Sequence, residues 1–252
     1  MVITLSFALG LLPSLAWLIF YLHEDYRHHK ITKLIAATFL LGGISTFLVL
    51  PVQAFFNQRL ANLGIAVHSF PYFLVLGAIE ELAKFLMVYL FIRRTHEFSA
   101  EPLHAMIYLI VAALGFAAAE NIASVFRSGQ DTLFQSRVFE TITLRFIGAT
   151  LLHTLSSGIV GYYWGLAIVR KYRFSIIFRL LAAHARYPSI LLSEMVLKGL
   201  ALATILHAIF NYLIIKDGPT GLAILFLMFV AFFVLNDFEK LKSDTIIEPL
   251  KP

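Results

Sequence analysis

The chain has no cysteine. Disulfides, thiolate metal ligands and a cysteine nucleophile are excluded together, while the redox compartment is left unread. Two further absences narrow the chemistry. No HExxH occurs, which removes the helix-borne zinc motif of that class of metalloprotease. The G-x-S-x-G turn is also missing, so Ser156 and Ser157 lack the elbow that exposes a hydrolase serine. The aspartates, Asp25, Asp131, Asp217, Asp237 and Asp244, fall in loops or at the ends of apolar stretches, which excludes an intramembrane aspartyl dyad. Charge itself is scarce, at 14% of residues, against about 25% in a soluble domain.

What fills the chain is apolar. Of 252 residues, 60% are hydrophobic, and the mean hydropathy is +0.83, the composition of an integral membrane protein. Runs of about 20 apolar residues without two-residue alternation predict helices rather than a barrel, because lipid offers no water to satisfy backbone N–H and C=O groups. Seven spans follow, at 3–22, 33–54, 71–92, 104–125, 145–169, 198–215 and 219–236. The expected fold class is an all-α polytopic membrane protein, one transmembrane domain over 1–252. The first run has no basic segment before it and no small-residue cleavage site after it, and reads as a retained span.

Arg27, Lys30, Lys33, Arg93, Arg94, the six cations from Arg170 to Lys198, and Lys240, Lys242 and Lys251 share one side of this arrangement. Only Arg59, Arg127, Arg137, Arg145 and Lys216 fall on the other. The richer side is cytoplasmic by the positive-inside rule, which places the N-terminus outside and the C-terminus in the cytoplasm. The net charge of +5 and pI near 9.4 therefore report topology. No nucleic-acid partner is expected, since the cations sit at helix ends rather than in a stripe. The connections 126–144 and 170–197 are long enough to hold an interfacial helix or an amphipathic loop packed on the bundle. His23, His28 and His29 read as solvated side chains of a short basic loop.

Five polar residues interrupt the apolar runs: Glu80, Glu81, Glu120, His153 and His207. A charged side chain at a bilayer centre costs about 2.5–3.5 kcal/mol on insertion scales, so their presence in four separate spans predicts convergence around a site. Each lies seven to ten residues from the outer end of its span, which at a rise of about 1.5 Å per residue is roughly 10–15 Å below the outer face. Lys84 is four residues from Glu80 and three from Glu81, and can neutralise only the carboxylate that shares its face, so the two acids are expected to differ in role. Asn211 follows His207 by four residues, and Ser157 follows His153 by four. Hydrolysis of an amide needs a base for water, an acid for the leaving amine and donors or a cation for the oxyanion. Glu80 or Glu81 suits the base, with the histidines and Asn211 around the oxyanion. Two histidines and a carboxylate, His153, His207 and Glu120, also suit a catalytic Zn²⁺ with an open position, although the same set works without metal.

The segments EELAK (80–84), FAAAEN (116–121), RFIGATLLHTLSSGIVGYYWG (145–165) and HAIFN (207–211) resemble the four motif regions of the PrsW family of intramembrane proteases. They resemble, more distantly, the group holding the CAAX prenyl endopeptidases. The resemblance covers residues 71–215, a four-helix catalytic core. It implies peptide-bond hydrolysis in or beside the membrane, with a glutamate activating water and histidines binding metal or polarising the carbonyl. By position, Glu80 and Glu81 match the paired glutamates, Lys84 the cation closing that motif, and Glu120 with Asn121 the second motif. Arg145 opens the third motif, His153 and His207 match the later histidines, and Asn211 the polar residue after the last. Lys84, Asn121 and Arg145 are the implied charge and structural partners. The prenyl endopeptidase relatives usually have histidine where Glu120 stands, which favours PrsW.

The expected partners are single-span membrane protein substrates and the lipid bilayer, in a bacterial or archaeal plasma membrane. Cleavage is expected near the external end of the substrate's span, as in relatives that make a first cut in membrane-bound anti-sigma factors. Two other classes of function fit the same residues: a proton-coupled transporter or channel using a Glu/His relay, and a protease-like scaffold that binds without cutting. Transporters tend to carry internal repeats or broken midplane helices, and neither is evident in the sequence.

Overall fold

A computed structural model describes residues 2–24, 32–95, 102–128, 148–181, 193–217 and 221–245. Seven helices occupy them: α1 Val2–Glu24, α2 Thr32–Asn62, α3 Phe70–Ile92, α4 Pro102–Ser128, α5 Thr150–Leu181, α6 Glu194–Asp217 and α7 Gly221–Thr245. They correspond one to one with the expected segments. Two run longer. The apolar pattern of α2 fades at Gln53, yet the helix continues to Asn62, because Leu60 anchors its far end against Tyr72 and Phe73 of α3 and Ala208 of α6. Helix α5 continues to Leu181, so the first part of the 170–197 connection is an extension of that helix. Residues 129–147, including Arg145, lie outside the described residues.

Lys33–Asn62, Pro102–Phe126, Glu194–Lys216 and Gly221–Ser243 are each long and apolar enough to cross a membrane by length and composition. Helix α3 carries Glu80, Glu81 and Lys84 in its middle, and α5 carries His153, Thr154, Ser156 and Ser157 in its first turns, so both are less uniformly apolar.

Helix α4 is the hub, with 89% of its apolar window buried, against 22–33% for the windows of α2, α6 and α7. Every residue from Leu103 to Ala118 is buried, as expected of a helix that is hydrophobic all round. Close approach explains part of this. A Cβ at Gly42 of α2 would collide with the Ala112 carbonyl, and one at Gly115 of α4 with the Phe39 carbonyl, so the two backbones touch where both lack side chains. Between α2 and α3, Gly64 and His68 both take positive φ, and Ser69 caps α3 by accepting from the Tyr72 N–H, with Pro71 in the first turn.

Two apolar layers bracket the polar residues of α3. Tyr72 and Phe73 pack with Leu60 and Ala208 towards one end. Towards the other, Phe85, Val88, Tyr89 and Ile92 pack around Trp164, whose ring meets Phe85 edge-on at 5.7 Å. Glu80, Glu81 and Lys84 lie between them.

Candidate active site

Adjacent helical residues point about 100° apart, so the two glutamates of α3 meet different neighbours. Glu81 faces α5 and α6. Its Oε1 accepts from Lys84 Nζ at 2.5 Å and from Ser156 Oγ at 3.0 Å, its Oε2 accepts from Ser157 Oγ at 2.9 Å, and His207 Nδ1 lies 3.2 Å from Oε1. Both oxygens are engaged. Glu80 turns towards α2, where Gln53 Nε2 donates to its Oε1 at 2.8 Å. Its Oε2 is buried and accepts no hydrogen bond, although His207 Nε2 is 3.4 Å away and His153 Nδ1 4.0 Å.

The tautomers follow from the partners. A lysine ammonium has donors only, so the 3.2 Å contact between Lys84 Nζ and His153 Nδ1 makes Nδ1 the acceptor. His153 Nε2 then carries the proton and donates to Glu120 Oε2 at 2.9 Å. His207 Nδ1 donates to Glu81, which leaves its Nε2 facing the unpartnered Oε2 of Glu80. Two lone pairs at that distance repel unless a proton or a metal cation stands between them.

Residues 77 to 84 of α3 also set the position of α6. A Cβ at Gly77 would come within 3.3 Å of Cβ and Cγ of His207, so this glycine lets the imidazole lie against the α3 backbone. Phe116 of α4 closes the cluster, its ring 4.8 Å from Lys84 Nζ and 5.1 Å from the His153 ring. The histidine rings meet edge to face at 5.2 Å. Glu120 is the most open member, with 30% of its side chain exposed against 10% for Glu80 and none for Glu81.

Helices α3, α4, α5 and α6 thus bring Glu80, Glu81, Lys84, Glu120, His153 and His207 into one connected cluster. Asn121 stands at its edge, where its Nδ2 donates to Thr150 Oγ1 at 3.0 Å and ties α4 to α5. Asn211, one turn beyond His207, is partly exposed and makes no side-chain hydrogen bond among the described residues. Three residues that sequence reasoning did not place in the site belong to it: Gln53, Ser156 and Ser157. The serines were visible only as neighbours of His153. Gln53 had a weak signal, since it continues the heptad stripe of Thr46, Val49 and Leu60, all buried, as the first polar amide to interrupt it.

A metal would be held by Glu80, His153 and His207, whose ligand atoms all lie within 4.8 Å of one another. Glu80 takes the place that the sequence suggested for Glu120, because Glu120 reaches His153 from the far side of the ring. The donor set fits a catalytic Zn²⁺. Each candidate ligand is also steadied from behind: Glu80 by Gln53, His153 by Glu120 and His207 by Glu81, the outer-shell arrangement that fixes metal-binding imidazoles. To bind a metal, His153 Nδ1 would have to give up its 3.2 Å contact with Lys84 Nζ, leaving that cation to Glu81. With its carboxylates ionised and its histidines neutral, the cluster carries three negative charges against the one of Lys84, an excess that a divalent cation would balance.

The model of the PrsW family of intramembrane metalloproteases matches residues 30–236. A protein named protease PrsW from Geobacillus kaustophilus is 32% identical over 169 residues, covering 66% of this chain and 68% of its own. Its namesake from Halalkalibacterium halodurans is 28% identical over 190 residues, 71% of this chain and 80% of its own. One from Oceanobacillus iheyensis is 26% identical over 247 residues, 94% and 96% of the two chains. No solved structure matches the chain.

Proposed function

From the premise that this chain belongs to the PrsW family of intramembrane metalloproteases, we propose that the cluster hydrolyses a peptide bond of single-span membrane proteins near the extracytoplasmic end of their transmembrane segment. Family membership makes the chain an integral membrane protein and a protease; the substrate class, the side of cleavage and the residue roles are the present reading. Anti-sigma factors anchored by one span are substrates of the proposed kind.

The observation that carries the reading is Oε2 of Glu80, a buried carboxylate oxygen without a hydrogen bond, facing two imidazole nitrogens. Glu80 takes the proton of the attacking water at that atom. His207, once protonated at Nε2, stands beside the same space to steady the developing oxyanion, with Asn211 one turn away on α6. Glu81, saturated by Lys84, Ser156, Ser157 and His207, orients His207 and is not the base. A zinc ion held by Glu80, His153 and His207 would acidify a bound water and polarise the carbonyl. In that form Glu120, hydrogen-bonded to His153 Nε2, would hold the imidazole in the orientation that presents Nδ1 to the ion.

The catalytic core extends over 71–215 in a bundle of seven spans, with the N-terminus outside. The test is incubation of purified full-length protein with a panel of single-span polypeptides, read as new termini by mass spectrometry. Glu80→Gln, His153→Ala and His207→Ala are expected to lower cleavage by roughly 10²–10⁴-fold without preventing membrane insertion. Cleavage that survives Glu80→Gln overturns the assignment. Proton flux without cleavage would instead support a Glu/His relay. Metal content near one equivalent per chain, lost with activity on chelation and regained with zinc, separates the metal-dependent form from the metal-free one.

A further inference from the structure

We infer that Gln53 of α2 is a positioning residue of this hydrolytic site, acting through Glu80, so that the working site is built from five helices rather than the four that carry the motifs. The inference rests on the proposed hydrolytic role of Glu80. Gln53 Nε2 donates to Oε1 of Glu80 at 2.8 Å. A carboxylate on a helix can rotate about its last bond, which exchanges the two oxygens; an amide fixed to one of them holds the other in place. That other oxygen is Oε2, with no hydrogen bond of its own and the imidazoles of His207 and His153 at 3.4 and 4.0 Å.

The course of α2 places Gln53 there. Before it, Thr46 and Val49 are buried, and Thr46 Oγ1 donates to the Phe116 carbonyl of α4. After it, Leu60 packs on Tyr72 and Phe73 of α3 and Ala208 of α6. Gln53 therefore sits where α2 passes from α4 to α3. Pro51, two residues earlier, cannot donate a backbone hydrogen bond to the preceding turn, which lets the helix change direction at that point. Apolar residues surround Gln53 along α2: Leu50, Val52, Phe55 and Phe56 are all exposed as lipid-facing residues would be. A polar amide on the buried stripe needs a partner, and Glu80 is the one it has.

The experiment compares the full-length protein with Gln53→Met, which keeps the length and loses the donors, Gln53→His, which keeps an N–H, and Val49→Ala, which loosens the same stripe of α2 without touching Glu80. Cleavage of a single-span polypeptide that the wild type cuts is followed as kcat and KM. Gln53→Met is expected to lower kcat by about tenfold or more with KM within about twofold, since a misplaced catalytic group costs up to about 10²-fold. Gln53→His should recover part of the loss, and Val49→Ala should leave kcat near wild type. Infrared difference spectra against Glu80→Gln isolate the Glu80 carboxylate bands, which should shift in Gln53→Met and remain in place in Val49→Ala. Equal losses of kcat in Gln53→Met and Val49→Ala, or unshifted Glu80 bands, overturn the inference. If the wild type cuts nothing in the panel, the hydrolytic reading fails by itself, and the infrared bands still decide whether Gln53 holds Glu80.

Discussion

Glu80 and Glu81 are adjacent in sequence and opposite in circumstance. The i+3 and i+4 spacing to Lys84 announced that one acid would be paired and the other left over. Which was which could not be read, because both lie within a lysine's reach on one turn of helix. The choice is made from outside α3, by Ser156 and Ser157 of α5, which occupy the oxygens of Glu81. Lys84 has a fully buried side chain held by Glu81, so Glu81→Gln leaves a buried cation with no direct counter-charge. It should destabilise the protein by about 3–5 kcal/mol, the usual consequence of breaking a buried pair from one side. Adding Lys84→Met removes the orphaned charge and should recover most of the thermal stability in detergent. A double variant as unstable as Glu81→Gln alone would mean the pair is not what holds this region together. Gly77 makes a second claim at this scale. Gly77→Ala puts a methyl 3.3 Å from the His207 ring, so the imidazole must shift by tenths of an ångström. Cleavage should fall about tenfold with little change in melting temperature, and an unchanged rate would show that the position of His207 tolerates the shift.

Helices α3 and α2 show what hydropathy can and cannot locate. The expected 71–92 and the observed Phe70–Ile92 agree because Ser69 and Pro71 mark the start in the sequence itself. Helix α2 outruns its expected end because Gln53, Asn57, Gln58 and Arg59 break the apolar run. The force that continues the helix, Leu60 against α3 and α6, is tertiary and invisible to a window along the chain. The same limit hid Gln53 from the site: its partner is 27 residues away on another helix. Packing of α2 on α4 through Gly42 and Gly115 is therefore a condition of the site as well as of the fold. Gly115→Val should drive α2 away from α4, costing about 1–3 kcal/mol for overpacking and lowering cleavage in addition by withdrawing Gln53 from Glu80. Thermal melts and cleavage measured on the same preparation check both. A destabilised variant with wild-type turnover would separate the α2–α4 contact from catalysis.

For the whole molecule the decisive question is which end of the bundle faces outward, since that fixes where substrates are cut. The site is nearer one end. Glu80 lies ten residues from Phe70, Glu120 eight from Ser128 and His207 ten from Asp217, and these three helix ends fall on the same side by the alternation of the chain. At about 1.5 Å per residue that is roughly 12–15 Å of depth, with Tyr72, Phe73 and Leu60 between Glu80 and that end. The proposed orientation, argued from the distribution of lysine and arginine, has this side facing the exterior. The absence of cysteine makes the assignment directly measurable, because any introduced thiol is the only one in the chain. Val67→Cys, on the exposed turn between α2 and α3, and Ser243→Cys, in the last turn of α7, mark opposite ends. In intact cells a membrane-impermeant maleimide should label Val67→Cys, and should reach Ser243→Cys only after the membrane is opened. The reverse pattern would invert the bundle and turn the Glu80 end of the site towards the cytoplasm. Cleavage would then move to the cytoplasmic ends of substrate spans, while the internal chemistry of the cluster stayed the same.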